Sequence, residues 1–597
     1  MLFGKHVNRY YLKYGIFLLI GAIALLVVDY FQLMIPEEVA KIIQGLKDLT
    51  LTQELLLNSV ITLGVIALIM FVGRFLWRLT LFGTGIRIEC DLRNRIFKNM
   101  LSLPQSFFSK NKTGSLMANY TNDLQIIRET FGMGTIMLVD ALALGTMALI
   151  KMFRLNVLLS IISLSSLVLV TIFSSIVGKK ITKATEENYK AYGNLSDYVQ
   201  EDYSGISVVK AFVKEKLKVK LFAKYNTDNM NTTLVMTKIS LKMNVTITAV
   251  LSLVNMLIIF YGGYIIYQNS IGVTNIDFDI EELITFSAYF GTLIWPIEAI
   301  GRLIDLRSKG KASLNRVSKL IDEEKDVNDA LVKDITKDIT ELSGNIEYKN
   351  LSFKYPTNSQ DRSNVLENVN LQINKGEFVG VIGETGSGKS TLVDVLLRLY
   401  NIEEGKVFID GFDLMHLPLK TIRDNIAYVP QDNFLFSDTI SKNIAFSENG
   451  KIDEEKVRVS ARFSNVEKDI DEFNYGFETV LGERGVTVSG GQKQRISIAR
   501  ALYKNTNILI LDDSLSAVDT ETEREIITNL RRVREGKTTI IIAHRITTLQ
   551  NLDKIVVVEN GTVTAVGKHE ELLKTSEAYA REVRLQELEK EVGEDDE

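Results

Sequence analysis

The sequence predicts a bundle of six membrane-spanning α-helices followed by a water-soluble α/β domain. Three observations support this prediction. The mean hydropathy of the 597 residues is +0.09 although 24% of them are charged, which indicates one apolar and one soluble part. Six apolar segments before residue 305 each reach the ~20 residues needed to cross ~30 Å of hydrocarbon. After them, an apolar strand pattern leads through a glycine-rich loop, residues 383–390, into a helix pattern.

The membrane part is predicted from the six apolar segments taken together. One such segment could be a buried helix of a soluble protein, but six in one chain favour a membrane domain over residues 1–320. The first segment is too long for the apolar core of a signal peptide. The predicted spans are Tyr14–Ile35, Leu55–Trp77, Phe131–Ile150, Leu155–Gly178, Asn244–Tyr267 and Leu283–Leu303.

Basic residues predict the orientation of the spans. Residues 84–130 and 179–243 are rich in lysine and arginine, whereas residues 269–283 contain neither and carry four acidic residues. Because cytosolic segments carry the excess of basic residues, both termini and the two long segments are predicted to be cytosolic. The long segments lack the composition of flexible linkers, so we expect them to extend the membrane helices as helices. The lysine-rich, proline-poor composition indicates a bacterial plasma-membrane protein.

Five charged residues fall inside the predicted spans. They are Asp29, Arg74, Asp140, Glu298 and Arg302. Charges at membrane depth are costly and usually face a bundle interior or a water-filled path. Asp29 and Asp140 are therefore candidates for lining a cavity. A position near the membrane interface, or a partner on a neighbouring helix, would explain them equally well.

Residues 378–399 predict a phosphate-binding loop between a strand and a helix. The strand Phe378–Ile382 runs into the pattern G-x-x-x-x-G-K-[ST], in which backbone N–H groups surround phosphate oxygens. We expect Lys389 to reach the β- and γ-phosphates of ATP and Ser390 to bind Mg²⁺. The predicted nucleotide-binding residues of this loop are Gly383, Glu384, Thr385, Gly386, Ser387, Gly388, Lys389, Ser390 and Thr391.

A second part of the nucleotide site is predicted after residue 507. The apolar run Ile508–Leu511 suits a buried parallel strand, and Asp512 follows it directly. A carboxylate at such a strand end can hold Mg²⁺ through water, so Asp512 is a predicted metal-binding residue beside Ser390. Alternatively, Asp512 and Asp513 could be two surface acids at the end of a buried strand, without a role in binding. The presence of the phosphate-binding loop makes this alternative less favoured.

The segment VSGGQKQR, residues 488–495, resembles the signature motif of ATP-binding cassette (ABC) proteins. In that family the motif faces the γ-phosphate of ATP bound by the other subunit. The resemblance therefore implies nucleotide contacts for Ser489, Gly490, Gly491 and Gln492.

Further motifs occur in the family's order across about 190 residues, which makes the resemblance specific. It implies that Tyr355 stacks on adenine and that Gln431 contacts Mg²⁺ and the attacking water. It also implies that His544 holds the γ-phosphate. Residues 482–485 resemble the loop that senses the membrane domain, and residues 516–519 resemble the loop that crosses the dimer interface.

The membrane part also resembles this family, specifically exporters of the type IV fold. Residues 107–123 and 201–212 look like the two cytosolic contact regions of such exporters. The resemblance implies six transmembrane helices fused to an α/β P-loop NTPase domain, and a second half that completes twelve helices. The expected division is a connector over residues 321–343, the nucleotide-binding domain over 344–582 and an acidic tail over 583–597.

One residue departs from the family pattern. After the Mg²⁺-binding aspartate, hydrolytic members carry a glutamate that polarises the attacking water, whereas this chain has Asp513. The carboxylate is one methylene shorter, and a displacement of about 1 Å in a catalytic group can cost on the order of a hundredfold in rate. This resembles the degenerate-site subunit of heterodimeric bacterial multidrug exporters. The alternative is a homodimer in which Asp513 still works.

The resemblance implies ATP-driven export of amphipathic or cationic small molecules by alternating access. Lipid export, peptide export and a regulatory ATPase without net transport remain alternatives. An importer is disfavoured, because importers usually keep the membrane and ATPase domains on separate chains. We expect no nucleic acid among the partners, because the net charge is only −5.

Cysteine, histidine and the chain end offer little for function. The four histidines are scattered, and Cys90 is the sole cysteine, so neither suggests a metal site and Cys90 is expected to be a packed thiol. The C-terminal residues 586–597 are expected to form a partly helical, solvated end.

Overall fold

The computed structural model describes residues 4–595 except 112, 272, 274–277, 357–363 and 483–487. The chain forms two compact units. The first comprises the residues up to Phe97 together with Met117–Ile321, and the second comprises Lys98–Leu116 and the residues from Asp322 onward.

Most of the described residues up to Asp322 lie in helices. Short π-helical stretches, Arg78–Phe82 and Asn119–Asp123, continue the helices that flank them. The helices are α1 (Asn8–Lys13), α2 (Gly15–Lys47), α3 (Gln53–Trp77), α4 (Gly83–Met100), α5 (Gln105–Lys110), α6 (Thr113–Ala118), α7 (Leu124–Leu155), α8 (Val157–Ser204), α9 (Ile206–Ala211), α10 (Glu215–Ser270) and α11 (Ile280–Asp322).

The helices carry the predicted membrane spans. In the described part of the chain, five helical stretches are long and apolar enough to cross a membrane: Gly15–Lys47, Gln53–Met100, Thr113–Leu155, Glu215–Ser270 and Ile280–Asp322. The predicted fourth span falls on α8, whose described apolar part is Val157–Val168. The helical membrane bundle predicted from the sequence is therefore confirmed.

Two helices are much longer than a membrane is thick. The 48 residues of α8 and the 56 residues of α10 correspond to ~72 and ~84 Å, against ~30 Å of hydrocarbon. They are paired by stacked rings of Tyr198 and Tyr225 at 5.0 Å and by an ion pair of 2.5 Å between Lys218 and Asp202. The prediction that residues 179–243 continue as helices is confirmed within α8 and α10, and the short helix α9 lies between them.

Three local features differ from expectation. α2 continues through Pro36 to Lys47, beyond Ile35, where the predicted span ends. Only Asn156 separates α7 from α8, and its side chain caps α8 by accepting a hydrogen bond of 3.0 Å from the Leu159 N–H. The expectation of a packed Cys90 is wrong, because its side chain is exposed. α4 buries Ile88 and Leu92, which lie one turn apart on another face.

The second unit contains two β-sheets. A four-stranded antiparallel sheet has the order β2-β1-β4-β5, and a six-stranded sheet has the order β10-β9-β3-β8-β7-β6 with antiparallel pairing only at β10. The strands are β1 (Ile346–Phe353), β2 (Leu366–Ile373), β3 (Phe378–Ile382), β4 (Val407–Ile409), β5 (Phe412–Asp413), β6 (Ile426–Val429), β7 (Ile508–Asp512), β8 (Thr538–Ile542), β9 (Lys554–Glu559) and β10 (Thr562–Gly567).

Helices accompany these strands along the chain. Short 3-10 turns occur at Leu414–His416 and Gly476–Glu478. The helices are α12 (Asp334–Lys337), α13 (Lys389–Leu396), α14 (Leu419–Asn425), α15 (Ile440–Ile444), α16 (Glu454–Phe463), α17 (Glu467–Asp471), α18 (Gly490–Lys504), α19 (Thr520–Val533), α20 (Ile546–Leu549), α21 (His569–Thr575) and α22 (Glu577–Asp595).

The parallel strands are buried on both faces, which explains their continuous apolar sequences. In β3, Val379 and Val381 pack into one core cluster, whereas Phe378 and Ile382 pack into a second. Alternate residues of β7 and β8 divide between the same two clusters. The six-stranded sheet therefore forms the rigid centre of the second unit.

The segments that flank this domain pack against it. In the expected connector, Leu342 is buried and the Thr336 hydroxyl donates a hydrogen bond of 2.5 Å to the His416 carbonyl. α22 runs without a break past residue 582, and Val583 lies in the core. The expectation of a solvated end is wrong at Gln586, which is half-buried and hydrogen-bonded to the domain.

Candidate nucleotide-binding site

The ends of four parallel strands bring the predicted site residues together. β3 leads into the phosphate loop, Gln431 follows β6, Asp512 ends β7, and His544 follows β8. These strands are neighbours in the order β3-β8-β7-β6, so their carboxyl ends meet at one edge of the sheet. Open α/β sheets bind ligands at this edge.

The backbone of the phosphate loop requires its glycines. At Gly383 a Cβ atom would lie 2.0 Å from the Val558 carbonyl oxygen. At Gly388, where φ is +100°, it would lie 3.0 Å from the Val365 carbonyl oxygen. The Lys389 ammonium donates hydrogen bonds of 2.6 and 2.9 Å to the carbonyls of Gly383 and Glu384. The loop is therefore wrapped around the lysine that the sequence predicts to bind phosphate.

Two buried groups of this loop are suited to a phosphate. Burial lowers the pKa of Lys389 below its ordinary value, although the charges of Asp512 and Asp513 act in the opposite direction. The Ser387 hydroxyl is buried without a hydrogen-bond partner in the described part of the chain. A buried hydroxyl without a partner is unfavourable, and a phosphate oxygen would supply the missing acceptor.

Asp512 and Ser390 form an oxygen-rich corner that fits a magnesium ion. The Ser390 hydroxyl is hydrogen-bonded to the Asp512 carboxylate, which also accepts a hydrogen bond of 3.4 Å from the Tyr428 hydroxyl. Burial raises the pKa of Asp512, and the nearby charge of Asp513 raises it further. A hydroxyl and a carboxylate are hard oxygen ligands of the kind that Mg²⁺ prefers, and a cation would relieve this buried charge.

Asp513 and Gln431 are in hydrogen-bonding contact. The Gln431 side-chain amide donates a hydrogen bond of 3.3 Å to Asp513 Oδ2. The Asp513 N–H donates a hydrogen bond of 2.9 Å to the Ile542 carbonyl. The φ angle of Asp513 is +44°, in the left-handed region that aspartate and asparagine adopt more readily than most residues. The backbone position of this carboxylate is therefore tightly defined.

Tyr355 is held by the helix that follows the phosphate loop. Its hydroxyl donates a hydrogen bond of 2.9 Å to Asp394 Oδ2 and lies 3.0 Å from the Thr391 hydroxyl. Burial raises the pKa of Tyr355. Its ring meets the rings of Phe353 and Tyr400 edge to face, at 5.2 and 5.0 Å. The ring predicted to stack on adenine therefore has a fixed orientation beside the loop.

The signature residues form the start of α18. Ser489 caps this helix: its hydroxyl accepts from the Gln492 N–H at 3.2 Å, and the Gln492 side chain accepts from the Ser489 N–H at 3.0 Å. A Cβ atom on Gly491 would lie 2.9 Å from the Ala517 carbonyl oxygen. Gln494 accepts a hydrogen bond of 3.0 Å from the Ala517 N–H. The signature helix is thus tied to residues 516–519.

The signature and the phosphate loop are separate within one chain. Among the described residues, no hydrogen bond joins residues 489–492 to residues 383–391. In the predicted membrane-sensing loop, Glu483, Arg484 and Gly485 lie outside the described residues.

Two residues that position the segment around His544 were not predicted from the sequence. Gln586 on α22 donates a hydrogen bond of 2.6 Å to the His544 carbonyl and accepts one of 2.8 Å from the Ile546 N–H. The Arg545 guanidinium donates to the Val518 carbonyl at 3.0 Å and pairs with Glu523 at 2.9 Å. The two contacts of Gln586 span 42 and 40 positions of the chain and carry no local sequence signal.

Two family descriptions match the chain and together cover most of it. The description "ABC transporter transmembrane region" matches residues 16–297, and "ABC transporter" matches residues 366–516. The chain belongs to the ABC transporter family. It is 35% identical over 586 residues to the "probable multidrug resistance ABC transporter ATP-binding/permease protein YheI" of Bacillus subtilis (strain 168), covering 98% of this chain and 97% of that protein.

Other relatives of this ABC transporter support the same assignment. It is 35% identical over 515 residues to the "ATP-dependent lipid A-core flippase" of Syntrophus aciditrophicus (strain SB), covering 86% of this chain and 82% of that protein. Its fold matches the "structure of a bacterial Atm1-family ABC exporter with ATP bound", with a TM-score of 0.75, 23% identity, and coverage of 97% and 98% of the two chains.

These findings confirm the coarse predictions. The chain is an ABC exporter with the type IV fold, in which a membrane helical bundle is fused to an ATPase domain. It binds ATP, and its ATP hydrolysis is coupled to transport across the plasma membrane. Because ABC exporters work as dimers, this half-transporter needs a partner.

Proposed function

We propose that this chain is the weakly hydrolysing subunit of a heterodimeric exporter of amphipathic small molecules. The main observation behind this proposal is that position 513, where hydrolytic members carry a glutamate, is an aspartate. Its carboxylate accepts a hydrogen bond of 3.3 Å from the Gln431 amide. A glutamate would extend the carboxylate by one methylene. A glutamate carboxylate would reach about 1.5 Å further towards the attacking water, and a displacement of about 1 Å can cost on the order of a hundredfold in rate.

The backbone around Asp513 supports this proposal. A working aspartate would require the chain to shift forward and recover the missing length. The hydrogen bond from the Asp513 N–H to the Ile542 carbonyl and the positive φ angle of Asp513 oppose such a shift. The homodimer alternative therefore needs a second water molecule in place of a displaced backbone.

Each residue of the site has a proposed role in binding ATP. Residues 383–391 hold the phosphates, and Tyr355 stacks on adenine. Ser390, Asp512 and Gln431 hold Mg²⁺, which would neutralise charge on the phosphate oxygens. His544 holds the γ-phosphate, and Asp513 with Gln431 orients water poorly. These side chains together bind ATP and favour closed cassettes, with slow turnover.

The signature of this chain would complete the partner's site. The capped N-terminus of α18 would present the Gly490 and Gly491 backbone to an anion, and no hydrogen bond in the described part of the chain joins it to the phosphate loop of the same chain. The partner should carry the glutamate that this chain lacks and perform most hydrolysis. Hydrolysis there resets the inward-facing state, so that transport proceeds by alternating access.

The proposal includes a topology and a domain division. Both termini and the helical extensions are cytosolic, in line with their lysine and arginine content. Residues 1–320 form the membrane domain, 321–343 the connector, 344–582 the nucleotide-binding domain and 583–597 an acidic tail.

Lipid export is the second candidate. It is favoured by the identity of 35% to a protein described as a lipid A-core flippase. An amphipathic lipid and an amphipathic drug share the same chemistry, so substrate competition decides between them. Preferential ATP-dependent movement of phospholipid over soluble dyes in reconstituted vesicles would favour the lipid.

ATPase rates test the assignment of Asp513. The tagged chain is purified from its native membrane, alone and with any subunit that co-purifies, and reconstituted in nanodiscs. We expect the chain alone to bind ATP with little turnover, Asp513→Glu to gain turnover, and Asp513→Asn to leave the heterodimer rate nearly unchanged. Asp471→Asn, an exposed acid of the same domain, is the matched control.

The opposite pattern would refute the proposal. A chain that runs as a homodimer, hydrolyses ATP briskly and loses that activity in Asp513→Asn has a working aspartate. In that case the exporter assignment stands and the degenerate-site proposal falls.

A further inference from the structure

Four helices of the membrane unit surround a cavity of about 520 Å³, between α2, α3, α7 and α11. Small-molecule pockets span ~300–1,000 Å³, so the cavity has the size for a drug-like ligand. Half of its lining residues are aliphatic or methionine side chains or glycine, which suits the apolar body of an amphipathic molecule. The other lining residues are Asp29, Gln32, Arg74, Asp140 and Thr292 together with both tryptophans of the chain, Trp77 and Trp295.

The two carboxylates of this cavity are buried, and each has one oxygen without a hydrogen-bond partner among the described residues. Asp29 is 3% exposed and Asp140 is 6% exposed. In the part of the chain that the structure describes, Asp29 Oδ2 and Asp140 Oδ1 have no hydrogen-bond partner. An unpaired carboxylate inside a membrane domain is costly, so acids at this depth usually serve a ligand or a water path.

Trp295 fixes one of these carboxylates in the cavity wall. Its indole N–H donates a hydrogen bond of 2.6 Å to Asp140 Oδ2. One oxygen of Asp140 is therefore occupied and the other remains available. The Arg302 guanidinium lies 5.8 Å from the centre of the Trp295 ring, and its ion pair of 3.3 Å is with Glu298. This arrangement orients Asp140 without neutralising it.

The charge of the cavity lining is unbalanced. Arg74 is its one basic residue among those described, and that side chain is exposed. Ion pairs in the described part of the chain involve neither Asp29 nor Asp140. Two acids therefore face one base across a mainly apolar wall, with aromatic rings beside them. Carboxylates beside aromatic rings are the environment in which proteins bind organic cations.

We propose that Asp29 and Asp140 bind the positive group of an amphipathic organic cation, whose apolar part packs against the cavity wall. The inference rests on the proposed export function and names its substrate class. If the two acids only joined helices, neutral and cationic ligands of equal size would bind alike. Charge selectivity therefore separates the two explanations.

Binding of a permanent cation to the full transporter tests the proposal. Tetraphenylphosphonium is the probe and triphenylphosphine oxide, of similar shape but neutral, is its counterpart. The measurement uses nanodiscs, which enclose no compartment and therefore have no membrane potential that could accumulate the cation. ATP is left out so that only binding is measured. We expect Asp29→Asn and Asp140→Asn each to weaken tetraphenylphosphonium binding by at least about tenfold, while the Kd of the oxide changes less than about twofold.

Control variants keep the test decisive. Asp305→Asn removes an exposed aspartate of α11 that does not line the cavity and should bind both probes as the wild type does. Asp29→Glu and Asp140→Glu retain the charge and should retain binding of the cation. If an asparagine variant fails to fold, the glutamate variants still test the site, because loss of cation binding in them would contradict a role for the charge.

The outcomes separate this inference from the proposed function. Equal weakening of both probes, or no change in either, overturns the cation site. A transporter that exports other compounds with ATP but binds tetraphenylphosphonium no better than the double asparagine variant also overturns it, and export stands. Selective, acid-dependent binding without any ATP-driven export supports the site and overturns the proposed function alone.

Discussion

Replacing Gln586 by alanine is expected to loosen the segment that carries His544. The glutamine side chain makes two hydrogen bonds to this segment, of 2.6 Å to the His544 carbonyl and 2.8 Å from the Ile546 N–H. Alanine removes both bonds and keeps the helix, because it has the highest helix propensity. The variant therefore isolates one contact between α22 and the predicted γ-phosphate residue.

The expected change in the free energy of local opening follows from the two lost hydrogen bonds. Each contributes a net ~0.5–1.5 kcal/mol, so local opening should become easier by ~1–3 kcal/mol. That corresponds to roughly 5- to 150-fold faster amide exchange at Ile546 when opening limits exchange. The bonds of Arg545 to Val518 and Glu523 remain and should prevent wider unfolding.

Hydrogen exchange measured by mass spectrometry on the full-length transporter without nucleotide is the assay. The peptide that covers residues 544–548 should exchange faster in Gln586→Ala than in the wild type. Glu587→Ala alters the exposed neighbour on the same helix and should leave this peptide unchanged. Wild-type exchange in Gln586→Ala, or equal acceleration in both variants, would refute the reasoning.

Two further predictions follow from single positions. Gly491→Ala should lower the melting temperature of the purified transporter by about 2–6 °C, because a Cβ atom would lie 2.9 Å from the Ala517 carbonyl and overpacking costs ~1–3 kcal/mol. Gly490→Ala, whose Cβ would lie 3.7 Å from the Ala517 Cβ, is the matched control, and equal shifts would contradict the prediction. In intact cells the exposed Cys90 should react with a membrane-permeant maleimide and be spared by an impermeant one, since residues 84–130 are predicted to be cytosolic. Labelling by the impermeant reagent would disprove this orientation.

Features encoded within a short stretch of sequence were predicted well. The strand Phe378–Ile382 matches the structure residue for residue, and the glycine-rich loop follows it as predicted, although α13 already begins at Lys389. Close packing of the loop requires glycine at Gly383 and Gly388. The strand Ile508–Leu511 differs only by including Asp512. Continuous apolar sequence identified the buried strands because both faces of the sheet are covered.

Features that depend on distant contacts were not predictable. Gln586 was assigned to a solvated end because its neighbours are acidic, and only the fold brings it to His544. The predicted first span ends at Ile35, yet α2 continues through Pro36 to Lys47 and buries residues on both sides of the proline. Asp29 and Asp140 were recognised as costly charges, but their common cavity and the bond from Trp295 required the tertiary structure.

The pairing of α8 with α10 has a mechanical consequence. About 42 Å of α8 extends beyond ~30 Å of hydrocarbon, so the part of the helix outside the hydrocarbon is longer than the part within it. A tilt of about 5° within the membrane moves the far end by about 4 Å. The Tyr198–Tyr225 stack and the Lys218–Asp202 ion pair couple the two rods, which stiffens them against bending. A small change in the tilt of the membrane-spanning parts of α8 and α10 therefore displaces the far ends of both helices together by several ångströms.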